Sequence, residues 1–327
     1  MKRRDVLALG LAALSAPVLP RQAFSQTTYP DRPIRLITPF PPGGAFDTIA
    51  RPWAERIKPH LGTVVVENIG GGGGSVGAAQ ASRARPDGYT ILLGGATTHV
   101  TEALLKNRPQ YDALKDFEPI SAVAITAFAL AVHPSVPVNN LKELVAHAKA
   151  NPGKLSYGSA GAGSLNHLTG ELFKMRTELR DLIHVPYRGA GPAIVDILAG
   201  QIPMIVPAMT NHVLDLHRTG KLRVLAVTHG TRLAAAPELP TAVEQGFPDI
   251  VTPNFIGLYA PTGTPKPIIE QIAQANRKLL AEHYRELLIS GTFEPQPDME
   301  GEAYRRYVEA EIARWRPVVQ AIDLKID

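Results

Sequence analysis

Two glycine-rich turns, each between an apolar run and a helical pattern, hold the residues best placed to do chemistry in this 327-residue chain. The first is Pro39-Phe40-Pro41-Pro42-Gly43-Gly44-Ala45-Phe46-Asp47, after Ile34-Arg35-Leu36-Ile37. The second is Tyr157-Gly158-Ser159-Ala160-Gly161-Ala162-Gly163-Ser164, ahead of Leu165-Asn166-His167-Leu168. A helix N-terminus leaves backbone N–H groups unpaired and carries partial positive charge, so such a turn suits an anion. Glycine lets the backbone approach where a Cβ would collide. One such turn in each half of the chain points to a small anion gripped from two sides.

In the first turn Gly43, Gly44 and Ala45 offer amides. Phe46 either stacks on the carbon body of a ligand or packs inward. Asp47 suits the first turn of a helix and reads as structural, because a carboxylate lining an anion site would repel its ligand. In the second turn Ser159, Ala162, Gly163 and Ser164 are candidate donors, while Asn166 caps the helix or reaches the ligand, capping being the commoner role. Gly94-Gly95-Ala96-Thr97-Thr98-His99 follows another strand and should face the same cleft, with Thr97 and Thr98 as donors. Tyr187-Arg188-Gly189 ends a further strand. Arg188 is the cationic candidate for a carboxylate, whose two oxygens its planar fork matches, and a salt bridge to the protein would use it equally well.

Other chemistries fit less well. Gly72-Gly73-Gly74-Ser75-Val76-Gly77 satisfies G-x-G-x-x-G, but the next strand ends Leu93-Gly94-Gly95 and not on the acidic residue a dinucleotide needs. Gly73 to Gly77 also spells G-x-S-x-G, the alternative being an exported serine hydrolase using Ser75. There the serine should follow its strand at once, whereas 68–74 intervene, so the glycine run is read as a pliable turn near the cleft rim. The histidines His99, His167, His212 and His217 show no zinc spacing, and His167 with Glu171, one turn apart, reads as a solvated pair. No metal, cofactor or catalytic residue is expected.

Composition narrows the setting. Cysteine is absent, which excludes disulfides, thiolate metal sites, a cysteine nucleophile and a lipidated N-terminal cysteine. Lys2, Arg3 and Arg4 precede the apolar stretch 6–19, with small residues ahead of Gln26. The stretch is shorter than the roughly 20 residues that span a bilayer, so 1–26 reads as a signal peptide, of Sec or twin-arginine type. The whole chain is +4. Removing Lys2, Arg3, Arg4 and Arg21 with Asp5 leaves about +1, and no long basic block remains to favour nucleic acid.

Short apolar runs at 63–67, 90–93, 129–132, 183–187, 204–206 and 223–227 read as buried strands. Asn140 with Glu143 should cap a helix over 141–150, Pro192 should open one over 193–199, and long amphipathic helices are expected at 265–290 and 301–322. This alternation predicts an α/β protein with parallel sheets covered by helices.

These residues carry a family resemblance. Tyr29-Pro30-Asp31-Arg32-Pro33-Ile34, Pro42-Gly43-Gly44 with Asp47 and Arg51, and Pro86-Asp87-Gly88-Tyr89-Thr90 come in order along the chain. Asn151-Pro152-Gly153-Lys154-Leu155, the turn from Tyr157 to Ser164, His184-Val185-Pro186-Tyr187-Arg188-Gly189 and Leu239-Pro240-Thr241 follow. In this the chain resembles the tripartite tricarboxylate transporter substrate-binding proteins, the TctC or Bug family of periplasmic solute-binding receptors. The resemblance implies a two-lobed type II periplasmic binding fold with a cleft, crossing near 120–126 and 252–258. Lobe 1 would span 27–125 plus 254–327 and lobe 2 would span 126–253. It further implies a periplasmic monomer that closes on a small organic acid, a mono- or dicarboxylate, and hands it to the permease subunits of a tripartite tricarboxylate-type transporter.

Overall fold

The structure, a computed structural model, describes residues 29–326; the expected signal peptide lies outside the described residues. The first half of the fold opens with β1 (Ile34–Thr38), α1 (Ala45–Arg56), α2 (Lys58–Leu61), β2 (Val64–Asn68) and α3 (Ser75–Ser82). It continues through β3 (Thr90–Gly95), a π-type turn at Thr97–Thr101, α4 (Glu102–Leu105) and β4 (Phe117–Thr126). Then come β5 (Ala129–Val132), α5 (Leu141–Ala150), β6 (Ser156–Ser159), α6 (Leu165–Thr177), β7 (Ile183–Pro186) and α7 (Ala190–Leu198). The chain passes through β8 (Met204–Ile205), α8 (Asn211–Arg218), β9 (Arg223–Val227) and β10 (Asn254–Pro261). It ends in α9 (Lys266–Leu280), α10 (His283–Ser290), β11 (Glu294–Pro295) and α11 (Gly301–Ile322).

The strands form two sheets. One has six strands in the order β11-β4-β10-β3-β1-β2, the other five in the order β7-β6-β8-β5-β9. β1 runs parallel to β2 and β3, and β6 parallel to β7 and β8, as the alternating pattern predicts. The sheets are not wholly parallel, however. β10 is antiparallel to β3 and β4, and β5 is antiparallel to β8 and β9. β5 and β10 are the first strands after the chain passes from one sheet to the other, so they arrive without the helical crossover that enforces parallel pairing. Ile34, Leu36, Ile37, Ile91, Leu92 and Leu93 are fully buried, as continuous apolar strands covered on both faces should be.

Helix ends follow local chemistry closely. Asn140 Oδ1 accepts from Glu143 N at 2.8 Å and α5 starts at Leu141 as expected. The Glu143 carboxylate returns to the Asn139 amide at 2.7 Å, one residue earlier than a strict capping box. The stretch 265–290 is two helices, not one. The break at 281–282 lets buried Tyr284 turn back, where its hydroxyl donates to Ile49 O at 3.1 Å and ties α10 to α1.

The helix that opens onto the first glycine turn is anchored at its far side. The buried Trp53 indole N–H donates to Asn276 Oδ1 at 2.8 Å, and Asn276 Nδ2 donates to Ser121 Oγ and the Ala122 carbonyl at 3.0 and 3.1 Å. One amide thereby joins α1, α9 and β4. Asn276→Ala should leave the Trp53 N–H and the Ala122 carbonyl unpaired in the core and cost about 2–4 kcal/mol. The urea midpoint should fall by about 1 M, and a shift under a fifth of that would mean water replaces the amide.

Candidate functional site

The first glycine turn ends at Gly44, the N-cap of α1, which supplies no side-chain cap. The first-turn amides of a twelve-residue helix therefore meet no capping side chain. Asp47 is held back from the site, accepting from Gly43 N at 3.2 Å, Arg51 Nε at 3.1 Å and Asn68 Nδ2 at 3.1 Å. It fixes the turn, as its charge suggested. Gly43, with φ +91° and its N–H spent on Asp47, shapes the turn and does not line the cavity behind it.

That cavity, about 30 Å³, is lined by Gly44, Ala45, Phe46, Thr97 and Asn166 among the residues singled out from sequence. Phe40, Phe128, Ala160, Ala190, Ala208 and Asn254 complete it, and no charged side chain lines it among the described residues. Phe46 packs on Phe40 with ring centroids 5.0 Å apart and still presents a face to the cavity. Thr97 Oγ1 accepts from Leu165 N at 3.1 Å, which leaves its own proton to donate.

The second turn does not offer the donors expected of it. Gly161 N donates to Ser159 Oγ at 3.1 Å, Gly163 N to His167 Nδ1 at 3.3 Å, Ser164 N to Gly161 O at 3.1 Å, and Ser164 Oγ caps α6 by accepting from His167 N. Ser159 also bonds His184 Nε2 at 2.7 Å. The Ala162 carbonyl faces Gly73 across the gap between the two halves; a Cβ on Gly73, whose φ is +68°, would stand 2.5 Å from that oxygen. Ser159, Gly163 and Ser164 therefore spend their donors within the turn, and none of these three, nor Ala162, lines the cavity. Thr98 is corrected for the same reason: its hydroxyl bridges Gly95 and His99 Nδ1. Tyr187 gives its hydroxyl to Asp196 at 2.8 Å. Arg188 stands exposed on the loop after β7 with no ion pair among the described residues.

The second uncapped terminus belongs instead to α7. Its N-cap is Gly189, again without a side-chain cap, and the helix begins at Ala190, three residues before the start inferred from Pro192. Proline is tolerated throughout a helical first turn, where N–H groups lack partners anyway, so Pro192 could not fix the start. Gly189 before a helical run was the available signal. The two termini abut: a Cβ on Gly44 would lie 4.0 Å from Ala190 Cβ, and one on Gly191 3.3 Å from Pro42 O.

Ser75 does not form a nucleophile. Its hydroxyl donates to Gly72 O at 2.8 Å and accepts from Gln110 Nε2 at 3.5 Å, closing the 3₁₀ turn of the glycine run.

Behind the second turn the imidazoles of His167 and His184 stack at 3.8 Å. Around them stand Tyr157, Lys174 and Glu171, the last accepting from Tyr157 Oη at 2.7 Å and Lys174 Nζ at 3.0 Å. His167 and Glu171 are thus largely buried, not solvated. Desolvation, aided by Lys174, pushes His167 down to about 4. Desolvation and then the neighbouring imidazole push His184 down to about 3. His167 is neutral in the fold, since its Nδ1 accepts the Gly163 N–H.

The comparisons agree with this architecture. The family model described as tripartite tricarboxylate transporter family receptor matches residues 49–324. Protein BugT of Bordetella pertussis is 34% identical, over 97% of this chain and 96% of its own length. The solved periplasmic binding protein BugD is 33% identical, with a TM-score of 0.87, over 91% of this chain and 99% of that one. R. palustris Rpa4515, solved with adipate, is 32% identical, with a TM-score of 0.85 and 91% and 99% coverage. The fold is that of the two-lobed periplasmic binding proteins.

The imidazole pair sets a pH dependence. In the unfolded chain a histidine takes up its proton near pH 6.5, whereas the folded pair resists until about 4 and 3. The unfolded state then binds more protons over that window, so stability is full above pH 7 and is lost as pH falls from 6.5 toward 4. The melting temperature should be roughly 5–10 °C lower at pH 4.5 than at pH 7, and His167→Gln should flatten the slope. An unchanged slope in that variant would remove the pair as its cause.

Proposed function

This chain belongs to the tripartite tricarboxylate transporter receptor family, and from that premise we propose that it captures a small organic acid by holding a carboxylate between the N-termini of α1 and α7. The observation that carries the reading is this pair of uncapped termini, one from each half, meeting over a cavity with no charged side chain in its lining. Each terminus stabilises an anion by about 0.3–1 kcal/mol at the surface and up to ~2 when partly buried. Gly44 leaves room for carboxylate oxygens to reach the amides, and Gly189 lets α7 start against the Pro41 ring. The adipate bound to the solved relative is a dicarboxylate, which supports an acid with an apolar body lying against Phe40, Phe46 and Phe128.

Function then follows from closure, without chemistry on the ligand. The halves are joined by Leu165 N to Thr97 Oγ1 at 3.1 Å and Thr101 Oγ1 to Gly163 O at 2.6 Å. A ligand touching both termini favours this closed arrangement by its differential affinity for it. We assign lobe 1 to 27–125 plus 254–327 and lobe 2 to 126–253, the signal peptide to 1–26, and the site of action to the periplasm as a monomer. The partner in this reading is the set of membrane permease subunits of a tripartite tricarboxylate-type transporter. Arg188, exposed on the loop before α7, is our candidate for the far carboxylate of a diacid.

The test is calorimetry and thermal shift over a panel of mono- and dicarboxylates. A ligand of the folded state should raise the melting temperature. Gly44→Val, at a φ of −99° that any residue adopts, should keep the fold and reduce affinity at least about 100-fold, since its branches would stand against Ala190. Near-normal binding would remove the α1 terminus from the site. Arg188→Ala should weaken diacids about 5–10-fold and monoacids little; equal loss for both would leave Arg188 without a ligand role.

A further inference from the structure

Asn254 is the first residue of β10, lines the cavity and is 3% exposed, yet its Oδ1 accepts no hydrogen bond. A buried acceptor left unpaired destabilises the fold that holds it. Asn166 lines the same cavity, and its orientation is fixed: Nδ2 donates to Val206 O at 2.8 Å, so its Oδ1 is the end left over. Both asparagines line a cavity whose other polar features are donors, namely the two helix termini and the Thr97 proton, and each keeps an amide oxygen with no donor of its own. A carboxylate cannot satisfy them, because it only accepts.

The missing partner is a donor, and a ligand seated in the cavity can supply it. An ammonium fits poorly, since no carboxylate lines the cavity to compensate its buried charge. A neutral hydroxyl fits: it donates to an amide oxygen and brings no charge. Resting on the acid-binding reading above, we propose that Asn254, with Asn166, is a specificity-determining residue that selects a hydroxyl-bearing carboxylic acid over its unsubstituted counterpart. The helix termini then hold the charge and the two asparagines read the carbon body.

Matched pairs test this by titration calorimetry: malate and succinate, 3-hydroxybutyrate and butyrate, 4-hydroxybenzoate and benzoate. In at least one pair the wild type should bind the hydroxylated acid about ten-fold or more tighter, and Asn254→Leu should shrink that ratio to within about three-fold. Should Asn254→Leu fail to fold, Asn254→Ala gives the same ratio. No preference in any pair, or a ratio that survives both replacements, overturns the inference while leaving acids bound. Binding by neither member of any pair would sink the acid-binding reading and this inference with it.

Discussion

A charge buried without a counter-charge must be met by dipoles already pointing at it. In the site proposed above those dipoles would be main-chain amides at two helix ends, α1 and α7, both capped by glycine and both without a capping side chain. Everything around them keeps them aimed and unspent. Asp47 holds the first turn through Gly43, Arg51 and Asn68, while Asn276 holds the other face of α1 through Trp53. A lysine or arginine in the same place would bring more attraction but also its own desolvation cost and freedom to move.

The contrast between α6 and α7 shows how a single residue decides availability. Both follow strands of the same sheet, β6 and β7. Ser164 at the N-cap of α6 accepts from His167 N, and the neutral His167 ring accepts from Gly163 N, so that terminus is closed by its own side chains. Gly189 at the N-cap of α7 has no side chain to do the same. The stacked imidazoles behind α6 make that closure rigid, because protonating either would force a charge into a buried stack.

Much of this was legible in the sequence. Apolar runs gave β5 and β9 to the residue, Asn140 gave the start of α5, and the first glycine turn gave Gly44, Ala45 and Phe46 at the cavity. The second turn misled, since glycine and serine spacing describes a helix end that binds an anion and one that caps itself equally well. Pro192 drew the start of α7 inward and hid Ala190. Asn254 carried no local signal, because its position depends on β10 returning between β3 and β4, a pairing between residues far apart in the chain. Local chemistry fixes where elements begin, but which loops meet is a property of the sheets.

The glycine run at 70–74 has a consequence of a different kind. Where Gly73 meets the Ala162 carbonyl, peptide rests on peptide, with no side chain acting as a cushion. At this point the approach of the two halves is limited by backbone dimensions, whereas beside it the Thr97 and Thr101 side chains make the contact. Trimming Phe40 or Phe46 would enlarge the chamber they line, while the Gly73 contact, which lies outside its wall, would stay as it is.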